Sequence, residues 1–452
     1  MTTIYDTTLR DGTQGEDICL TVQDKLRITA LLDEFGVGMI EGGWPGSNPK
    51  DADFFREVRR LTLRHARLAA FGSTCRPSAT PAQDENLRLL LAAETPIVTI
   101  FGKSWTRHVT EVLRTTPERN LALVGESVAF LKRAGREVVF DAEHFFDGHR
   151  QDPAYALAVL RTAAEAGADT LVLCDTNGGT LPWQIEAAVT AARAATDVPL
   201  GIHAHNDGGC AVANSLAALR AGAVHVQGTI NGIGERCGNA DLCAIVANLE
   251  LKCGQAVLPP GHLARLTEVA RLVAEIANQA PPASAPYVGR SAFAHKAGVH
   301  VSAIRRDRGA YEHVEPDVVG NGRRVLVSEL SGRGNLHYKA DEYGLTAEDE
   351  ATTAAVLAHI KELEHQGFAF EAAEASVELM LRRARPDYRP FFQLIDFMVV
   401  VEHREQRGLL AEANVKLRIG DKVFHTVADG VGPVGALDRA LRKGLIEAYP
   451  AI

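Results

Sequence analysis

Eight short runs rich in β-branched and aromatic residues alternate with eight amphipathic stretches over the first 253 residues, and this alternation constrains the fold more than any other feature of the chain. The strand-like runs fall at residues 3–5, 39–41, 68–71, 97–101, 138–140, 170–174, 200–203 and 224–228. Between and after them, apolar residues recur at helical spacing over 22–35, 52–63, 82–93, 117–134, 154–166, 185–195, 211–221 and 241–252. A strand followed each time by a helix long enough to cross over predicts a parallel sheet. The count of eight favours a closed (β/α)8 TIM barrel over an open doubly wound sheet. Residues 1–255 are assigned to this α/β barrel.

A barrel of this kind carries its site on the loops at the C-terminal ends of its strands. Those ends hold Asp6, Arg10 and Asp11 after the first run, Glu41 at the second, Lys103 after the fourth and Glu143 after the fifth. Asp175 and Thr176 follow the sixth, His203 and His205 mark the seventh, and Asn239 lies beyond the eighth. His203 and His205 stand two apart in HAHND, so on a strand both imidazoles leave the same face. They are either surface or hydrogen-bonded histidines, or two ligands of one divalent ion. The glycine-rich stretches DTTLRDGTQ (6–14) and GIGERCGNA (232–240), each just after a β-like run, favour the second. Asp11, His203, His205 and Asn239 together offer a carboxylate oxygen, two imidazole nitrogens and an amide oxygen, a set that suits Mg, Mn, Co or Zn without choosing among them. Such an ion can chelate a 2-oxo acid and polarise its carbonyl, with Arg10 facing the oxygen where charge develops. The competing reading of Arg10 is a rim salt bridge with Glu41 or Glu143.

Apolar residues make up 46% of the 452, charged residues 23%, and the formal net charge is −9, which gives no basic surface for nucleic acid. No run approaches the 18 or so apolar residues of a membrane span, and MTTIYDTTLRDG lacks the parts of a signal peptide, so a cytoplasmic protein is expected. The 7 cysteines form no C-x-x-C pair and read as reduced. After the barrel, 256–290 reads as a helical linker ending in APPASAP, whose prolines stop the helix. A subdomain containing FAHKAGVHVSAI follows at 291–345, two helices broken at Gln366-Gly367 at 346–388, and a βββα module at 389–452.

The strings TLRDGTQ, HAHND and GERCGNA, in this order on these strand ends, resemble the Claisen-condensing synthases of the isopropylmalate, homocitrate and citramalate group, within the DRE-TIM metallolyase superfamily. The wording of EGGWPGSNPKD, FGKSW, DAEHFFDG and FAHKAGVHVSA is most similar to the branch that condenses acetyl-CoA with pyruvate and water. The resemblance implies that Asp11, His203 and His205 ligate the metal, with Asn239 as a fourth ligand. It implies that Arg10 stabilises the keto-derived oxyanion, that Thr176 contacts the oxo-acid carboxylate and that Glu143 positions the acetyl group. His300 matches the base and Tyr311 a tyrosine that accompanies it, while His295 reads as structural. The family's post-barrel module crosses to the partner subunit, so a homodimer with composite sites is implied.

Other readings are a related synthase that takes another 2-oxo acid, a metal-dependent lyase or aldolase on the same barrel, and a non-catalytic scaffold. The lyase has no need of the post-barrel module, and the scaffold has none of Arg10, Glu143 and His300 together. Arg305, Arg306, Arg308, Arg323, Arg324 and Arg333 gather positive charge that either meets CoA phosphates or is solvated. The resemblance also implies a regulatory domain of two βββα units that binds isoleucine. One such unit is visible at 389–452, so weak or absent isoleucine inhibition is expected.

Overall fold

The expected eight strands close on themselves. A computed structural model describes residues 2–345, 350–405 and 408–452. The strands are β1 (Thr3–Asp6), β2 (Met39–Gly43), β3 (Arg67–Ser73), β4 (Ile97–Lys103), β5 (Glu137–Glu143), β6 (Thr170–Asp175), β7 (Leu200–Ala204) and β8 (His225–Gly228), in sequential order around a closed barrel. Closure comes from β1 lying parallel to β8, with Thr3 level with His225 and Asp6 with Gly228. Several strands run two or three residues past the apolar stretch that announces them, as at Gly43, Lys103 and Glu143. The apolar pattern ends where polar site residues begin, although the backbone is still extended there.

Helix boundaries follow the caps. The second helix begins at Pro49, before its first apolar residue, because Asn48 accepts a hydrogen bond from the Asp51 amide at 2.8 Å and proline is suited to the first helical position. It gives way to a 3-10 turn at Val58–Arg60, short of the expected end. The helices Pro117–Arg133 and Pro153–Glu165 start the same way, behind Thr116 and Asp152. Short helices at Phe145–Gln151, Gly298–Arg306 and Arg333–Glu342 were not expected from the sequence pattern.

The barrel's outer core packs helix faces against strands, with Ile28, Leu32, Phe54, Leu87, Val124, Leu160, Val189 and Ile245 all buried. The helix Leu266–Ile276 lies alongside, and residues 303–325 also belong to this first compact unit. Lys252, just past the helix Leu242–Leu251, donates to the His313 carbonyl at 2.8 Å, and Thr267 donates to the Val319 carbonyl at 2.7 Å.

The second compact unit comprises Lys296–Ser302 and Leu326–Ile452. Its helices Arg333–Glu342, Glu350–His365 and Glu374–Arg383 share a small core of Leu336, Val356, Ile360 and Val377. The expected start of the helix pair at 346–349 lies outside the described residues. Beyond them, β9 (Gln393–Arg404), β10 (Gly408–Ile419) and β11 (Lys422–Gly430) form an antiparallel sheet covered on one face by the helix Pro433–Leu445, which is the expected βββα module. Among the described residues no helix is long and apolar enough to cross a membrane.

One buried ion pair holds the β2 exit. Lys25, 1% exposed, donates to the Gly42 carbonyl at 3.1 Å and pairs with Asp51, whose other oxygen accepts the Trp44 amide at 2.8 Å. Replacing Lys25 by Met leaves Asp51 buried without its cation, and a loss of about 3–5 kcal/mol is expected in urea unfolding of the variant. Adding Asp51→Leu should restore a substantial part of it.

Candidate active site

The three motifs meet because the strand ends bring them together and because short-range constraints shape each loop. In DTTLRDG, the Asp6 carboxylate accepts the Thr8 amide at 2.9 Å and hydroxyl at 2.8 Å, and Thr8 in turn accepts the Ile230 amide at 2.9 Å. In GIGERCGNA the glycines are required by close approach. A Cβ on Gly234, at φ +154, would lie 2.1 Å from the Asn239 side-chain nitrogen, and one on Gly238, at φ +84, would lie 2.0 Å from the Gly232 carbonyl oxygen. Arg236 ties this loop to HAHND and to the loop after β6. Its Nε and Nη2 donate to Asp207 at 2.8 and 2.9 Å, and Nη2 also donates to the Thr176 carbonyl at 2.8 Å.

His203 and His205 do leave one face of β7. Their Nε2 atoms are 3.3 Å apart, and His203 Nε2 is 3.2 Å from Asp11 Oδ2. All three residues are buried, and they form a group whose donor atoms can converge on one ion. Bonds of about 2.0–2.2 Å at near-right to tetrahedral angles put neighbouring ligands about 3.0–3.5 Å apart, so the observed spacing fits a single divalent ion. Asn239 supports the same fit. It sits in a β-bridge with His205, donates its amide nitrogen to the Ile233 carbonyl at 3.2 Å, and leaves a buried Oδ1 without a protein partner.

The charges are strongly interdependent. Burial opposes ionisation of Asp11, but Arg10 and the hydrogen bond from His203 outweigh it and hold the carboxyl well below its usual range. Burial likewise opposes the His203 cation, and Asp11 reverses the sign and raises its pKa. His205, desolvated and beside His203, is pushed down to about 4. Arg10 is desolvated too, yet Asp11 and Glu41 keep it cationic. Its Nε donates to Glu41 at 2.6 Å and its guanidinium lies over the Phe71 ring at 3.7 Å. The salt bridge with Glu41 therefore exists and also fixes the guanidinium plane beside Asp11, 3.4 Å away.

Arg10, Asp11, Glu143, Thr176, His203 and His205 all line one cavity of about 230 Å³. Thr176 accepts the His144 amide at 2.9 Å, leaving its own hydroxyl proton for another acceptor, and Glu143 pairs with Lys103. Trp44, Phe71 and Phe101 form the apolar wall. Trp44 and Phe101 stand in quoted strings and Phe71 only ends a strand-like run, and an aromatic at a strand end reads as core. Two further buried polar residues are Gln227 on β8, outside every quoted string, and Asp141 on β5, the first residue of DAEHFFDG, to which the sequence reading gives no role. The available signal is a glutamine at an inward position of a short strand, His225–Gly228.

Three expected residues do not line this cavity: Asn239, which lines a separate one of about 390 Å³, Tyr311 and His300. Tyr311 is 46% exposed and lies two residues from His313, which Lys252 holds at the strand-N-terminal end of the barrel, away from the rim. His300 belongs to the second compact unit and is exposed. His295 has a structural setting, buried with its ring 3.0 Å from Glu312, which Arg323 also holds. Arg323 and Arg333 of the basic group are engaged by Glu312 and Glu350 respectively.

Three domain families match in succession: HMGL-like over residues 2–273, homocitrate synthase post-HMGL domain-like over 287–367, and LeuA allosteric (dimerisation) domain over 371–449. A protein named (R)-citramalate synthase from Geobacter sulfurreducens is 51% identical over 451 residues, covering 99% of this chain and 85% of that one. The chain belongs to the citramalate synthase family of HMGL-like enzymes. A second relative of that name, from Aquifex aeolicus, is 51% identical over 450 residues, again 99% of this chain and 85% of the relative. The solved HMG-CoA lyase of Bacillus subtilis shares the barrel fold, with a TM-score of 0.54 at 21% identity over 62% of this chain and 95% of that one. Citramalate synthase family members are condensing enzymes of the acyl-CoA and 2-oxo acid class, so the scaffold reading of the sequence is set aside.

Exhaustive chelation should remove activity and a divalent ion should restore it. His205→Ala should lower both metal occupancy, read by elemental analysis, and turnover. Full occupancy in that variant would take His205 out of the site.

Proposed function

We propose that this chain joins acetyl-CoA to pyruvate, with water, to give (R)-citramalate, CoA and a proton, using a divalent ion held by Asp11, His203, His205 and Asn239. What carries the reading is the similarity across nearly the whole chain to proteins named (R)-citramalate synthase, with the matching motifs lining one cavity. In this reaction the acetyl methyl loses a proton, its carbon bonds to the keto carbon of pyruvate, the keto oxygen becomes a hydroxyl, and hydrolysis of the thioester releases CoA. The ion, Mg, Mn, Co or Zn, supplies a Lewis acid for the oxo-acid carbonyl.

The protein's own groups account for the rest. Arg10, fixed by Glu41 and Phe71, presents positive charge to the oxygen that becomes an alkoxide. Thr176 donates its hydroxyl proton to the oxo-acid carboxylate. Glu143, held by Lys103, positions the acetyl group. His300 takes the methyl proton with Tyr311 beside it. The place of Tyr311 far from its own rim supports a site completed by the second subunit of a homodimer. The LeuA dimerisation match and the exposed Phe397 and Met398 of the C-terminal sheet support the same assembly. The protein would then work in the cytoplasm, in branched-chain amino-acid synthesis toward isoleucine, with no nucleic-acid or membrane partner.

Pyruvate is favoured by the aromatic wall. Phe71 and Phe101 stack at 5.5 Å, Trp44 meets both edge-on at 5.7 and 5.6 Å, and its indole N–H is held by Asn86 at 2.7 Å. Rings pinned in this way offer an apolar surface against which the methyl group of pyruvate would pack.

A thiol-release assay with acetyl-CoA and a panel of 2-oxo acids should rank pyruvate above 2-oxobutanoate and 2-oxoisovalerate lowest, the discrimination per methylene being about 1–3 kcal/mol. Highest kcat/KM with 2-oxoisovalerate would transfer the chain to the isopropylmalate branch. Phe71→Ala should narrow the preference. Mixed dimers of Arg10→Ala and His300→Ala chains should regain part of the activity that each parent lacks, and verified mixed dimers without recovery would contradict the shared site.

A further inference from the structure

Inside the barrel, beside Asp11, His203 and His205, an unbroken polar chain runs from β5 through β8 to β7. Gln227 is fully buried on β8, level in register with His203 on β7. His203 Nδ1 is 2.9 Å from Gln227 Oε1, and Gln227 Nε2 donates to Asp141 Oδ1 at 3.1 Å. Asp141, on β5, is 3% exposed.

The order of atoms along this chain is set by what each group can do. An amide has one accepting end and one donating end. The NH2 end of Gln227 faces Asp141 Oδ1, and its carbonyl end faces His203 Nδ1. A carbonyl only accepts, so His203 Nδ1 has to carry the ring hydrogen. In the neutral ring, the form that can ligate an ion, the lone pair is then on Nε2, the atom directed at Asp11 and His205.

We propose that Gln227, oriented by Asp141, is the positioning residue that sets the His203 tautomer and thereby makes Nε2 a metal ligand. The need for it comes from Asp11. With the hydrogen on Nε2, His203 would donate it to Asp11 Oδ2, 3.2 Å away, and that hydrogen bond would fill the place of the ion. The Gln227 carbonyl opposes this by claiming the hydrogen at the other nitrogen. A methionine at 227 would fill similar space but leave Nδ1 without an acceptor, and the ring would turn to its competing partner. Asparagine at 141 keeps the carboxylate's shape but can donate as well as accept, so the Gln227 amide loses its reason to point one way. Second ligand layers of this kind alter metal affinity by about 10–100-fold.

This inference rests on the metal site of the proposed function, and the experiment separates the two. Full-length protein is stripped of metal, and its affinity for Mn²⁺ alone is measured by competition with a fluorescent chelator, in wild type, Gln227→Met, Asp141→Asn and His205→Ala. Thermal unfolding of each metal-free form reports whether it folds. Mn²⁺ affinity should fall by about 10–100-fold in Gln227→Met and by a smaller factor in Asp141→Asn. Saturating Mn²⁺ should recover much of kcat in both, and KM for acetyl-CoA should stay near wild type. A folded Gln227→Met that binds Mn²⁺ as wild type does overturns the relay. If that variant does not fold, wild-type affinity in the isosteric Asp141→Asn overturns it instead. Absence of Mn²⁺ binding in wild type, or wild-type binding in His205→Ala, rejects the metal site itself and the relay with it.

Discussion

Three acceptor-rich groups, the imidazoles of His203 and His205 and the carboxylate of Asp11, stand within 3.3 Å of their neighbours in a buried place, without enough hydrogens among them to satisfy every lone pair. Burying such groups is costly unless a cation or a set of donors compensates. Much of the rim can be understood as that compensation. Arg10 supplies a fixed positive charge on one side, whereas the buried Asn239 Oδ1, without a protein partner, adds to the shortage of donors. Arg236 links the loop that carries Asn239 to the one that follows β7. The arrangement is one that a bound cation would complete.

The barrel's interior pushes in the same direction. The lower layer is apolar, with Ala69, Ile97, Val139 and Val172 packed around the Tyr5 ring. Above it the side chains turn polar: the Tyr5 hydroxyl donates to Glu41 at 2.7 Å and meets Thr99 at 2.6 Å, Glu41 holds Arg10, and Asp141 holds Gln227. Desolvation, with Glu41 nearby, raises Asp141 to about 7, a measure of how little water reaches this layer. Low local polarity strengthens each remaining interaction and makes each misplaced one expensive. The geometry of the rim is thus fixed from beneath as well as by its loops.

The sequence displayed the fold well for one reason. Each strand of a (β/α)8 barrel is buried on both sides and each crossover helix on one, so the two hydrophobic periods alternate visibly, and all eight strands were found with their starts within one residue. The ends were legible less well, because Lys103 and Glu143 are polar yet still on strands. Asp11, His203 and His205 were readable because two histidines on one strand face and a carboxylate on the first loop form a recognisable pattern. Trp44, Phe71 and Phe101 were not, because an aromatic residue that lines a cavity and one that fills a core look alike in sequence. Gln227 and Asp141 were missed for another reason. Their importance lies in register across three strands, β5, β8 and β7, which no local pattern encodes. Tyr311 shows the opposite limit, where motif resemblance names a residue whose place on its own chain is far from the rim.

The central claim is that Asp11, His203 and His205 converge on a single divalent ion around which the condensation is organised. Anomalous diffraction from crystals of the active enzyme grown with Mn²⁺ tests this most directly. The account predicts one strong peak within about 2.0–2.3 Å of the two Nε2 atoms and an Asp11 oxygen, with Asn239 Oδ1 close by. An active crystal with its Mn²⁺ elsewhere, and only hydrogen-bonded water among these three residues, would contradict it.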